Sequence, residues 1–92
     1  VIDYSNVLKR FNSLTKKSLR AVSAKAKKQI NARVKEGYSW SDFEKAIKNV
    51  LMDEYHIENN LKYLTLEYIS REDQLIKWLS VKPAKSAEDL YR

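Results

Sequence analysis

One glycine and one proline in 92 residues leave this chain little besides helix to fold into. Turn-rich β proteins reverse direction every few residues, and those reversals draw on glycine's positive φ or proline's fixed φ. Here the only two such residues are Gly37 and Pro83, so connections must be few and economical. The apolar spacing agrees. Tyr4, Val7, Leu8 and Phe11 recur at i, i+3, i+4 and i+7, the stripe of an amphipathic helix, with Asp3 placed to cap it.

The same period predicts a helix from about Ala21 or Ser23 to Glu36, lined by Val22, Ala26, Ile30 and Val34. Gly37 follows as its left-handed terminator. Ser39, with Asp42 three residues on, then opens a third helix through Trp40, Phe43, Ile47, Val50 and Leu51 to about Tyr55. Residues 12–19 read as a connection or a frayed end, and His56–Asn60 as a polar linker. Leu61, Leu64, Leu66 and Ile69 suggest one or two helical turns. Ser70 with Asp73 marks the cap of a last helix whose Leu75, Trp78 and Leu79 face inward. Beyond it lies a tail with a marginal helix near Ser86–Tyr91. The expectation is an all-α, compact bundle of four to five short helices over residues 1–80 and a C-terminal tail or linker over 81–92. Its core should comprise Tyr4, Leu8, Phe11, Ile30, Val34, Phe43, Ile47, Leu51, Leu64, Leu75 and Trp78.

Charge is distributed unevenly along this scaffold. Residues 1–35 hold ten Lys and Arg against Asp3, a net of +9, while residues 36–92 hold eight against eleven acids, a net of −3. A concentrated basic region on a mildly acidic domain is the footprint of a polyanion binder. Lys16, Lys17 and Arg20 precede the second helix, and Lys25, Lys27, Lys28, Arg33 and Lys35 lie along it, with Arg33, beside the apolar line, alternatively placed to pair with an acid such as Asp42 or Glu36. Lys9 and Arg10 flank the polar side of the first helix. Lysines one turn apart on a solvated helix face stand about 5 Å apart, close to the phosphate repeat. Lysine outnumbers arginine in the set, which suits point-charge contact with a backbone over bidentate reading of base edges. Cations near the start of the second helix also oppose its dipole, at a cost of a few tenths of a kcal/mol each. A chain selected for stability alone would carry acids there.

Other chemistry is poorly supplied. With no cysteine, there is neither a disulfide scaffold nor a thiolate metal site, which fits a reducing cytoplasm. The single His56 sits beside Glu54 and Glu58 as a surface residue would, and no glycine-rich phosphate loop or metal-binding motif occurs. Asp53 and Glu54, as neighbours on a helix, point ~100° apart and cannot act as a dyad. No catalytic residue, metal ligand, cofactor or small-molecule substrate is expected. No apolar run approaches the roughly 20 residues of a membrane span, and no signal peptide is visible. The second helix also lacks the Trp, Phe or Leu that a membrane-surface helix inserts. The chain opens on Val1, as a segment of a longer protein would.

The runs Ile2-Asp3-Tyr4-Ser5-Asn6, Ala24 to Arg33, Leu61-Lys62-Tyr63-Leu64-Thr65 and Ile76-Lys77-Trp78-Leu79 resemble a known family. So, most specifically, does Glu36-Gly37-Tyr38-Ser39-Trp40-Ser41-Asp42-Phe43. The family is the conserved C-terminal domain of phage replisome organisers, the helicase-loading replication initiators loosely related to DnaD-type primosome proteins. The likeness spreads over residues 1–79. Leu66 stands near where the family often has proline, and Arg71, seven residues before Trp78, replaces the tyrosine of the DnaD signature. The resemblance implies a small all-α module acting on DNA or on the helicase machinery in a bacterial host's cytoplasm. The alternative it leaves open is a pure protein-docking domain for the replicative helicase or its loader.

Overall fold

The computed structural model describes residues 2–81, and the tail, with the marginal helix expected near Ser86–Tyr91, lies outside the described residues apart from Val81. Among the described residues there are helices and no strand: α1 (Tyr4–Thr15), α2 (Ala24–Lys35), α3 (Trp40–Leu51), α4 (Glu54–Glu58), α5 (Leu66–Ile69) and α6 (Glu72–Ser80). The all-α bundle is as expected. Its six helices exceed the expected four to five because residues 54–69 form two short helices separated by turns.

Local capping explains most boundaries. The Asp3 carboxylate accepts the Asn6 N–H at 3.1 Å, and Ser23 Oγ accepts the Ala26 N–H at 3.0 Å. At the start of α3 the Asp42 carboxylate accepts the Ser39 N–H at 2.9 Å. Each satisfies a donor that a helix start leaves open. α1 continues to Thr15, beyond the expected frayed end, and stops where Lys16 takes left-handed geometry at φ 61°. The connector is ordered by Asn12, whose side chain donates to Leu19 O at 2.9 Å and accepts the Leu19 N–H at 3.0 Å.

Other boundaries differ from expectation as well. α3 ends at Leu51, not Tyr55, because the Asp53 carboxylate accepts the His56 N–H at 3.1 Å and starts α4. Asp53 and Glu54 are therefore the cap and first turn of a new helix. Ser70 does not cap α6. It is fully buried, with Oγ 2.6 Å from Leu66 O and 3.1 Å from Gln29 Oε1, and Arg71 takes the N-cap position.

α3 is the spine. Phe43, Ala46, Ile47 and Val50 bury its stripe against Leu75 and Trp78 of α6, and Phe11 docks α1 onto it. Asn49, buried on the same helix, donates from Nδ2 to Trp78 O at 2.6 Å and Val81 O at 3.2 Å, satisfying carbonyls at the end of α6. α2 lies against α5, with Ala26 and Ile30 inward and Leu66 and Ile69 on the facing helix. Most of the expected core is buried, while Tyr4, Leu8 and Leu51 pack half-buried at its edge. Val34 is the exception at 40% exposed. α2 is turned so that Ala26, Ile30 and Arg33 face inward, which leaves Val34 at the rim.

α2 closes as the pattern predicts. Gly37 has φ 106°, its N–H donates to Val34 O at 3.0 Å, and the Tyr38 N–H donates to Arg33 O at 3.1 Å. These are the paired bonds of a Schellman terminus. A Cβ at Gly37 would meet nothing within 4 Å, so substitution there strains only the backbone. Gly37→Val is expected to destabilise by about 1–2 kcal/mol, read from denaturant midpoints, because a β-branched residue resists this geometry.

Candidate nucleic-acid interface

The inward side of α2 is fixed by Ala26, Ile30 and Arg33. At ~100° per residue, Lys28 and Lys35 stand opposite that side, with Lys25 and Lys27 at the two edges of the solvated arc. All four are exposed, and no acid occupies the first turn. Lys16, at the left-handed end of α1, and Arg20, in the connector, are exposed as well. Among the described residues, none of these six cations is in an ion pair. Tyr4 fixes the N-terminal end of α1 to this helix: its hydroxyl donates to Lys27 O at 3.1 Å, and Lys27 Nζ lies 5.6 Å from the Tyr4 ring centre.

Two expected members of the set do other work. Arg33 is buried, and its guanidinium grips Glu36 with two bonds, Nε at 2.9 Å and Nη2 at 2.8 Å, while Nη1 reaches Ser70 O at 3.3 Å. It ties α2 to the α5–α6 junction and is not available to a phosphate. Lys17 is half-buried, with Nζ donating to Leu61 O at 2.6 Å, and burial pushes its pKa down. Leu61 itself has φ 58°, a left-handed conformation costly for leucine, and follows Asn60 at φ 57°. Lys17 thus holds a strained turn. Lys9 and Arg10 do not extend the α2 face. They line a groove between α1 and α3 with Trp40 and Glu44, and Glu44 pairs with Lys48 at 3.1 Å. The bond from Lys48 holds the Glu44 carboxyl below its usual pKa, so a carboxylate stands in the groove beside Lys9 and Arg10.

A second cluster is assembled from three elements that the sequence gave no reason to join. His56 is not an exposed loop residue. It is buried on α4, with its ring centre 5.6 Å from that of Tyr68 and 5.3 Å from that of Trp78. Trp78 Nε1 donates to Tyr68 Oη at 3.0 Å, and Tyr68 Oη lies 3.4 Å from His56 Nε2. Which of the two donates there follows from the imidazole tautomer, and the other ring nitrogen is Nδ1. That Nδ1 is buried without a partner among the described residues. Burial pushes the His56 pKa down, opposed by the charge of Asp53 and reinforced by that of Lys77.

Folding consequently favours the neutral ring. The stability this imposes is fully present above about pH 6.5, the ordinary histidine value, and is lost as pH falls below it toward the folded-state pKa. Because His56 is the chain's one histidine, the melting temperature should drop on acidification from about pH 7 to pH 5.5. His56→Phe should be flat over that window. Thermal melts by circular dichroism read both.

No group of metal-capable side chains is found among the described residues, and no helix of those residues is long and apolar enough to cross a membrane. Comparison with known protein families, curated proteins and solved structures gave no match.

Proposed function

We propose that the chain is a non-enzymatic DNA-binding module that grips the phosphate backbone through Lys16, Arg20, Lys25, Lys27, Lys28 and Lys35. The supporting observation is the solvated face of α2: four exposed lysines, with no acid in its first turn and no ion pair among the described residues. Compact, flexible cations of this kind attract phosphates without reading base edges. Lys17 and Arg33 support the fold beneath this surface. The resemblance to phage replisome organisers sets the context, an initiator that brings the replicative helicase to DNA in the host cytoplasm.

Fluorescence anisotropy with labelled single- and double-stranded oligonucleotides of random sequence tests the proposal. If about five phosphates are contacted, log K falls against log salt with a slope near −4.5 on duplex or −3.5 on single strands. Absence of binding to either at low salt overturns it. The same lysine face would then be a docking surface for an acidic patch on the helicase or its loader.

A further inference from the structure

The aromatic cluster around His56 opens to solvent as a concave site lined by Tyr55, Tyr63, Tyr68, Lys77 and Trp78. Tyr55 and Tyr63 lie nearly parallel, 8° between planes and 6.2 Å between ring centres, and remain 58% and 43% exposed. Two large tyrosines stacked on each other, each with an edge-to-face contact to His56, still present an apolar platform to water. Cations lie over two rings of the site: Lys62 Nζ is 5.1 Å from the Tyr63 ring centre and Lys77 Nζ is 5.0 Å from that of Trp78. The acid in the lining, Asp53, is engaged as the cap of α4, and the nearby Arg71 pairs with Asp73 at 2.8 Å.

Exposed tyrosine rings with lysines that form no ion pair among the described residues match the chemistry of an unstacked nucleobase joined to phosphates. A duplex hides its bases, so such a platform serves a single strand. Lys17 is bonded to Leu61 O, so the connector that carries Lys16 and Arg20 is fastened to the turn that carries Lys62 and Tyr63. We propose that the Tyr55–Tyr63 platform stacks an unpaired base of a single strand whose phosphates run past Lys62 and Lys77. This rests on the backbone-binding role proposed for α2 and adds a strand preference to it.

The test compares oligo-dT with an abasic strand of equal length, which keeps the phosphates and lacks the bases. The parent should bind oligo-dT about tenfold more tightly, within the range that one stacked base supplies. Tyr55→Leu/Tyr63→Leu should bind both as the parent binds the abasic strand. Both side chains are exposed, so the variant should fold; should it not, oligo-dT must shift the Tyr55 and Tyr63 ring resonances of the parent. Equal affinity of the parent for the two strands overturns the platform while leaving the backbone role intact. Tight binding of oligo-dT with none of the abasic strand supports the platform and overturns the backbone role. No binding of either removes both. A dimer that shields the two rings without DNA would make this face a contact between copies, and the proposal would fail.

Discussion

Reversing Lys25 and Lys28 to glutamate should weaken DNA binding about 100-fold near 0.1 M salt. Each phosphate contact on duplex DNA contributes on the order of 1.2 kcal/mol there through counterion release, so two lost contacts account for roughly 2.4 kcal/mol, and repulsion adds the rest. The salt slope should become shallower by about 1.8. The loss should be equal for unrelated sequences, because backbone contacts carry no sequence information. Both residues are exposed on the solvated arc of α2, so the fold should tolerate the change. Arg33→Met is the matched control. It should cost about 2 kcal/mol of stability, less than a fully buried pair because the Glu36 side chain stays 40% exposed, and leave the salt slope unchanged. Anisotropy titrations from low to moderate salt read both variants. A steep slope retained by the Lys25/Lys28 variant, or lost by the Arg33 variant, would reverse the roles assigned to these side chains.

Ile47→Ala should be the most damaging single truncation of the spine. Ile47 is fully buried at the centre of α3, the helix on which α1, α4, α5 and α6 all pack. Truncations of this kind cost about 2–5 kcal/mol, the cavity term included. For a domain of this size, a loss near 3 kcal/mol lowers the melting temperature by roughly 12–24 °C. The transition should stay cooperative, because a core with one spine has no half able to stand alone. A shift of only a few degrees would mean that the α3–α6 contact is not what holds the bundle together.

What the sequence made legible was chiefly local. Asp3 and Ser39 cap helices because a capping bond spans two or three residues, a distance visible in the chain itself. Gly37 was equally plain, as the only glycine placed just after an apolar stripe. The break at Asp53 was missed because the apolar period runs straight through it, and the competing signal is one carboxylate. Ser70 was misassigned because a cap and a buried hydroxyl use the same residue, and only the approach of Gln29 from α2 distinguishes them.

The candidate site divides in the same way. The lysines of α2 were readable because a helix of known phase fixes which side chains share a face. Arg33 was not, since its burial depends on a carbonyl at Ser70, far along the chain, although Glu36 one turn on was a hint. Lys17 likewise depends on Leu61. The His56 cluster had no signature: Tyr55, Tyr63, Tyr68 and Trp78 follow no single period, and packing of α4, α5 and α6 brings them together.

The central claim is that the lysine face of α2 meets the phosphate backbone, and amide chemical-shift mapping on a 10.8 kDa domain tests it residue by residue. Titrating a short duplex of random sequence into the isotope-labelled protein should move the resonances of Lys25, Lys27, Lys28 and Lys35, together with Lys16 and Arg20. Those around Lys9, Arg10 and Glu44 should stay in place. Movement confined to the α1–α3 groove, or no movement in α2 at a duplex concentration that saturates binding, would contradict the account.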